Sequence, residues 1–188
     1  MPHIKSVRLV NVHFNNATQL YDDFIINMGG KNTTYDLENG GGKSLLLLMI
    51  LQTVLPKSYL RKEKPVSLLF QGGHDRTSHV IVEWILEEGD GYRYALTGFC
   101  ARKRRGAAET LLTGNAAEPE NLQAADIEHL NWCVFCNDNK VTDIQAVPLV
   151  IEEGKAKKYA GFDDIRKYIQ QMRQKELPAE VFDKIEQY

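Results

Sequence analysis

The sequence has few of the features that mark secreted or membrane proteins. Its 188 residues include three cysteines, which are too few for a disulfide framework. The longest unbroken apolar run, Leu45 to Leu51, is far too short to span a bilayer. The first residues also lack the apolar stretch of a signal peptide. We therefore expect a cytoplasmic protein with no membrane partner.

An excess of charge of one sign is also missing. The formal net charge is -2, so any binding to nucleic acid needs a local basic patch. The composition is 43% hydrophobic and 26% charged, which is typical of a folded protein with a real core. The length suits one domain or one large lobe.

A glycine-rich loop precedes a strongly apolar helix pattern. The stretch from Asp36 to Ser44 reads DLENGGGKS and lies between a strand pattern at Thr33–Leu37 and a helix pattern at Lys43–Leu55. This order is the setting of a phosphate-binding loop. Backbone N–H groups of a glycine loop and of a helix N-terminus can together hold phosphate oxygens. The stretch therefore predicts a nucleoside triphosphate site.

Each residue of the loop has an expected role. Lys43 would neutralise the β- and γ-phosphates, and the Ser44 hydroxyl would bind Mg²⁺. Backbone donors would come from Gly40, Gly41 and Gly42, with Asn39 at the loop entrance. In the general pattern G-x-x-x-x-G-K-[ST] the first position is glycine, whereas this chain has Leu37 there.

Alternation and β-branched content predict further strands, and apolar spacing predicts a second helix over Phe162–Gln174. The predicted strands are Ile4–Phe14, Leu20–Met28, Val66–Phe70, His79–Leu86, Tyr92–Ala101, Trp132–Cys136 and Ile144–Ile151.

With these residues in view, the chain resembles the N-terminal head lobe of the SMC-like ATPases. This ABC-type group includes SMC, MukB and the double-strand-break repair ATPases. Four features carry the resemblance. A first strand pair precedes the loop, Asn39–Ser44 is similar to N-G-x-G-K-S, and a helix follows the loop directly. Gln71 then stands where the family has its Q-loop glutamine. The segment Asp75–Trp84 further resembles the condensin-like and plasmid-restricting members.

The resemblance implies an α/β fold: an ABC-type P-loop NTPase head lobe with a mixed sheet around a buried P-loop helix and an antiparallel hairpin region. Residues 1–160 would form the head lobe, and residues 161–188 would begin a coiled-coil arm. The implied cofactors are ATP and Mg²⁺, with Gln71 approaching the metal or the attacking water.

The resemblance also implies that this chain holds half of a composite ATPase. It lacks Leu-Ser-Gly-Gly and an apolar run followed by Asp-Glu, which the family carries on a C-terminal lobe. The implied partners are that lobe, a second head in a homodimer, kleisin-type subunits and DNA. The expected setting is the nucleoid, in chromosome segregation, repair or plasmid defence.

Two basic clusters are candidate DNA contacts, although a solvated basic loop is the usual meaning of such runs. They comprise Arg61, Lys62, Lys64, Arg102, Lys103, Arg104 and Arg105.

Other readings of the sequence stay open. A self-contained P-loop NTPase or kinase would need an acidic residue after an apolar strand, and Val66–Phe70 ends in Gln71 instead. A non-catalytic interaction module with a degenerate loop would fit Leu37. A zinc site at His129, Cys133 and Cys136 lacks a fourth ligand.

Overall fold

The computed structural model describes residues 2–14, 19–37, 42–55, 76–86, 93–104, 127–137, 139–140, 142–153 and 156–176. In chain order these residues form β1 (His3–Phe14), β2 (Gln19–Asn27), α1 (Lys43–Val54), β3 (Ser78–Ile85), β4 (Tyr94–Lys103), β5 (Ile127–Cys136), β6 (Val150–Glu153), β7 (Ala156–Tyr159) and α2 (Phe162–Glu176). Within this part of the chain, neither helix is long and apolar enough to cross a membrane.

The expected fold class, an α/β P-loop head lobe with a mixed sheet around a buried helix, is wrong. The main sheet has the order β2-β1-β3-β4-β5, and each neighbouring pair is antiparallel. Strands β6 and β7 form a separate antiparallel hairpin. Antiparallel neighbours need no crossover helix, which is why five strands can pair with only two helices in the described residues.

Both faces of the main sheet are buried, which explains the long apolar runs in its strands. Neighbouring residues Leu9 and Val10 on β1 pack into different cores. Helix α1 covers one face, and the β6–β7 hairpin with α2 covers the other. The first core includes Val7, Leu9, Leu46, Met49, Val80, Val82 and Phe99. The second includes Val10, Ile81, Leu96, Trp132, Leu149, Phe162, Ile165 and Tyr168.

Several predicted elements differ from the structure. Residues 32–37 form no strand, although Thr33–Leu37 has a strand pattern. This segment pairs with no described strand, and the Thr33 hydroxyl donates to the carbonyl oxygens of Met28 and Lys31. The predicted strand Ile144–Ile151 begins only at Val150, because residues 144–146 form a turn. The predicted strand Val66–Phe70 lies outside the described residues.

The hairpin β6–β7 is held to the edge strand β2 by Asp22. The Asp22 carboxylate accepts hydrogen bonds from the Lys157 ammonium and the Tyr159 hydroxyl. These two hydrogen bonds, the one from Lys157 first, lower the pKa of Asp22. The hairpin is therefore held against the main sheet by polar contacts at the edge strand β2 as well as by apolar packing in the core.

Arg8 is a buried cation that joins three distant parts of the chain. Its Nε and Nη2 donate to the two carboxylate oxygens of Asp23 on β2, at 2.8 and 2.9 Å. Its Nη1 donates to the carbonyl oxygens of Ile144 and Val147, both at 2.9 Å. The bidentate geometry and the extra acceptors satisfy a charge that would otherwise be costly to bury.

Replacing Arg8 with Met should lower the free energy of unfolding by about 2–4 kcal/mol, because the Asp23 carboxylate and buried carbonyl oxygens lose their donor. Urea unfolding followed by circular dichroism measures the loss. The matched control is Arg166→Ala, which removes an exposed pair with Asp163 and should change stability by less than about 0.5 kcal/mol. Equal effects of the two substitutions would contradict the role given to Arg8.

Gly98 on β4 leaves room for an indole ring on the neighbouring strand. It pairs with Trp132, and a Cβ built at Gly98 would lie 2.0 Å from the Trp132 Cε2 atom. Gly98→Ala should therefore destabilise the protein by about 1–3 kcal/mol through overpacking. Gly161→Ala is the control, since its Cβ would meet nothing closer than 3.6 Å. Thermal unfolding of both variants tests this, and an unchanged midpoint for Gly98→Ala would refute it.

Candidate phosphate-binding site at the start of α1

The structure describes part of the predicted phosphate loop. Gly42, Lys43 and Ser44 are described, and they form the first turn of α1 and the residue before it. The other predicted site residues, Asn39, Gly40, Gly41 and Gln71, lie outside the described residues, so their roles stay predictions.

Gly42 adopts a backbone conformation that favours glycine. Its φ of 82° and ψ of 18° lie in the left-handed region, and it is the N-cap of α1. The Gly42 carbonyl oxygen accepts the first helical hydrogen bond from the Leu46 N–H at 2.8 Å. The turn at Gly42 thus brings the chain into the helix without a bulky side chain at its N-terminus.

The first turn of α1 is electrostatically suited to an anion. It contains no acidic residue, and its N-cap residue, Gly42, makes no side-chain hydrogen bond to the helix. The first N–H groups of a helix have no partner within the helix, and they carry a partial positive charge. Lys43 adds a full positive charge at the first helical position, and the side chains of Lys43 and Ser44 are both exposed.

In the described part of the chain, Lys43 lies near one acidic side chain, that of Asp36. Its Nζ lies 3.9 Å from the Asp36 Oδ1, and the two side chains are 52% and 97% exposed. An ion pair this long and this exposed is weak and screened by salt. A phosphate group could therefore replace the Asp36 carboxylate at Lys43 without leaving a buried charge unpaired.

Leu37, at the position of the first pattern glycine, has a packing role in this structure. It is half-buried and packs against the core between α1 and the sheet. Asn11 is the one described residue other than glycine with a positive φ, so the backbone at Leu37 does not require glycine. The departure from the general pattern fits the local geometry.

Helix α1 is not buried all round, contrary to expectation. The two polar residues near its end, Gln52 and Thr53, are among its buried ones, whereas the apolar Leu47 is 60% exposed. The backbone carbonyl oxygen of Gln52 accepts from Asn131 Nδ2 at 2.7 Å, and the Thr53 hydroxyl accepts from the Thr97 hydroxyl at 2.9 Å. Polar contacts to β4 and β5 thus determine which side of the helix faces the sheet.

The predicted DNA contacts are only partly placed. Arg102 donates to the Glu128 carboxylate at 3.0 Å, and its guanidinium lies 4.6 Å from the centre of the Phe162 ring on α2. Its first role is therefore to hold α2 against the sheet. Arg104 is exposed. The side chain of Lys103, and all of Arg61, Lys62, Lys64 and Arg105, lie outside the described residues.

Among the described residues, no group of three or more His, Cys, Asp or Glu side chains could hold a metal ion. Cys133 and Cys136 are free thiols. Burial raises the pKa of Cys133 to about 12, so this thiol is not a reactive thiolate at neutral pH.

The sequence reasoning missed that two aromatic side chains are exposed, one before the loop and one on β2. Tyr35 is 39% exposed and Phe24 is 36% exposed. The strand patterns at these positions placed both residues in a sheet, which hid the fact that they face solvent. One signal in the sequence could have revealed the exposure of Tyr35: it directly precedes Asp36, the first residue of the glycine-rich stretch.

Comparisons with known proteins identify no relative of this chain. No family model, no curated protein and no solved structure matches the chain.

His79 is a structural residue of β3. It is almost fully buried, and its Nε2 donates to the Ala160 carbonyl oxygen at 2.8 Å, since a carbonyl oxygen can only accept. Burial, the largest cause, lowers the pKa of His79 to about 4. The neutral ring therefore connects β3 to the residue just before α2.

Stability should fall as the pH drops below the unfolded-state pKa of His79. A pKa that is about 4 when folded and 6.5 when unfolded means that the unfolded chain binds the proton first. The free energy of unfolding should thus fall by about 2 kcal/mol between pH 7 and pH 5 from this residue. Urea unfolding at both pH values tests it. His79→Gln should lose this component, and an unaltered pH dependence in that variant would contradict it.

Proposed function

We propose that this chain binds ATP and Mg²⁺ through the first turn of α1, as the N-terminal lobe of an SMC-like ATPase that acts on DNA. One observation carries the proposal: a left-handed glycine, an exposed lysine and an exposed serine lie in sequence at the start of a helix whose N-cap residue makes no side-chain hydrogen bond. This combination supplies N–H donors, positive charge and a metal-binding hydroxyl at one place.

The proposed binding chemistry uses few groups. The N–H groups of the first turn and the Lys43 ammonium contact phosphate oxygens, and the ammonium leaves its weak contact with Asp36. The Ser44 hydroxyl is a ligand to Mg²⁺, which also contacts the phosphates. Asn39, Gly40, Gly41 and Gln71 complete the site in this proposal.

The exposed side of α1 supports a composite protein. Leu47, Val54 and Leu55 are 60%, 43% and 52% exposed, and apolar side chains grouped in this way often mark an interface. A C-terminal lobe packed on this side would cover them and bring the acidic residues needed for hydrolysis. In this proposal the chain alone binds nucleotide and does not turn it over, and ATP joins it to a second head.

DNA and kleisin-type subunits are further partners in the proposal. Of the predicted DNA contacts whose side chains the structure describes, Arg104 is exposed and available for a phosphate contact. Arg102 is engaged with Glu128, so its contribution to a DNA surface requires that pair to open.

Substitution of Lys43 tests the proposed site. Lys43→Ala should weaken binding of ATP in the presence of Mg²⁺ by roughly 10- to 100-fold, because a charged contact to the phosphates is lost. Isothermal titration of the 188-residue chain measures the affinity. Lys167→Ala, which removes an exposed lysine on α2, is the charge-matched control and should leave the affinity unchanged.

Two outcomes would overturn parts of this proposal. Undetectable ATP binding by both the wild-type chain and the Lys43→Ala variant would sink the phosphate site and favour an interaction module with a degenerate loop. Steady-state ATP turnover by the chain alone, abolished by Lys43→Ala, would instead contradict the composite site and favour a self-contained NTPase or kinase.

A further inference from the structure

Helix α1 is apolar on every side over its first two turns, so apolar burial alone does not fix its rotation about its own axis. Its residues 45–51 are all apolar. In the structure Leu46 and Met49 face the sheet at 7% and 1% exposure, whereas Leu47 is 60% exposed. An α-helix turns by about 100° per residue, so a rotation of that size would bury the next residue along the chain at each position.

The rotated helix would bury a more apolar set of residues than the observed one. The buried residues are Leu46, Met49, Gln52 and Thr53, and the residues that follow them are Leu47, Ile50, Thr53 and Val54. The rotated set thus contains Val54 in place of Gln52, which is 3% exposed in the structure. Because apolar burial favours the rotated helix, another interaction selects the observed orientation.

A chain of hydrogen bonds from the sheet supplies that interaction. The Trp84 Nε1 on β3 donates to the Thr97 hydroxyl on β4 at 2.8 Å, and the Thr97 hydroxyl donates to the Thr53 hydroxyl on α1 at 2.9 Å. The Thr53 hydroxyl donates in turn to the Ile50 carbonyl oxygen at 2.8 Å. An indole N–H can only donate, so the order of donors and acceptors is the same along the whole chain. The contact between the threonines requires Thr53 to face β4.

A second hydrogen bond holds the end of α1. The backbone carbonyl oxygen of Gln52 accepts from the Asn131 Nδ2 on β5 at 2.7 Å. Carbonyl groups in the last turn of a helix lack donors within the helix, so Asn131 replaces a missing partner. A rotation of α1 would carry this oxygen away from Asn131 and break the bond.

The first turn of α1 moves with any rotation of the helix. Thr53 lies about 15 Å from Lys43 along the helix axis, since each residue of an α-helix adds about 1.5 Å. A rotation of about 100° would shift the Lys43 Cα by about 3.5 Å and turn its side chain in a new direction. In the observed rotation the Lys43 Nζ lies 3.9 Å from the Asp36 Oδ1, and the Ser44 side chain is exposed.

We propose that Thr97 and Asn131 are positioning residues for the proposed phosphate site. By holding α1 in one rotation, they determine the direction in which Lys43 and Ser44 project. This inference rests on the proposed function, and it adds two residues of the sheet that act through the helix without touching the ligand.

The rotation is measured by thiol labelling of a Leu47→Cys chain with iodoacetamide. Rotation would cover position 47 and slow the labelling, whereas unfolding would expose it and speed the labelling, so the two effects are distinguishable. Background from the native thiols is low, because burial raises the pKa of Cys100 and of Cys133 to about 12 and Cys136 is buried. The chain without Leu47→Cys measures that background.

Thr97→Val and Asn131→Leu are introduced into the Leu47→Cys chain, singly and together, and ATP binding with Mg²⁺ is titrated in each. Thr97→Ser keeps the hydroxyl and is the conservative control. Thr142→Val removes a fully buried threonine hydroxyl that donates to the Asn139 carbonyl oxygen, away from α1. Circular dichroism confirms that each variant is folded, and each single variant carries the test if the other unfolds.

Each lost hydrogen bond should change the ratio of the two rotations by roughly 10-fold. Labelling at Leu47→Cys should slow, and the apparent Kd for ATP should rise by the same factor, since both depend on the fraction of chains in the observed rotation. The double variant should show the largest change. Thr97→Ser and Thr142→Val should label and bind as the parent chain does.

The two measurements separate this inference from the proposed function. Labelling that is unchanged or faster in Thr97→Val and Asn131→Leu would overturn the inference, whatever the ATP affinity. Slower labelling with unchanged ATP affinity would also overturn it and leave the phosphate site standing. If the parent chain binds no ATP, the proposed function fails and the positioning role fails with it.

Discussion

The guanidinium of Arg8 joins the main sheet to the turn that leads into the hairpin and α2. It lies on β1, next to the centre of the sheet, and bonds both to the edge strand β2 through Asp23 and to the turn at residues 144–147. That turn leads through Leu149 into β6, and then into the hairpin and α2 that cover one face. Without a donor at this point, buried carbonyl oxygens of the turn would have to face an apolar core unpaired.

The opposite face depends on a different kind of contact. Helix α1 is oriented by hydrogen bonds that involve its polar residues, as in the bond between Thr97 and Thr53, while Leu47 remains in solvent. Two apolar residues, Leu46 and Met49, share the buried side of the helix with Gln52 and Thr53. The exposure of Leu47 agrees with the proposal that a further element packs on α1.

The local elements were predictable where burial alone determines them. The strand patterns at His79–Leu86 and Tyr92–Ala101 correspond to β3 and β4, and the spacing of Phe162, Ile165 and Met172 corresponds to α2. The fold class was wrong because strand direction depends on pairing partners, which alternation within one strand does not reveal. The segment Thr33–Leu37 failed for the same reason, since a strand pattern needs a neighbouring strand.

The candidate site was predictable to a limited extent. Gly42, Lys43 and Ser44 take the positions relative to α1 that the loop pattern indicates, because a glycine before a helix and a lysine at its first turn are set by local sequence. The Lys43–Asp36 contact and the packing of Leu37 needed the structure, as did the exposed rings of Tyr35 and Phe24. Side-chain exposure depends on what covers a residue, and no local pattern records that.

The central claim is that the first turn of α1 is where a triphosphate binds. Amide chemical-shift mapping of the ¹⁵N-labelled chain with ATP and Mg²⁺ tests it most directly, because each backbone N–H reports its own surroundings. The account predicts that the largest changes occur at Gly42, Lys43 and Ser44. Shifts that are absent there, or concentrated around Arg102 and Glu128 instead, would contradict it.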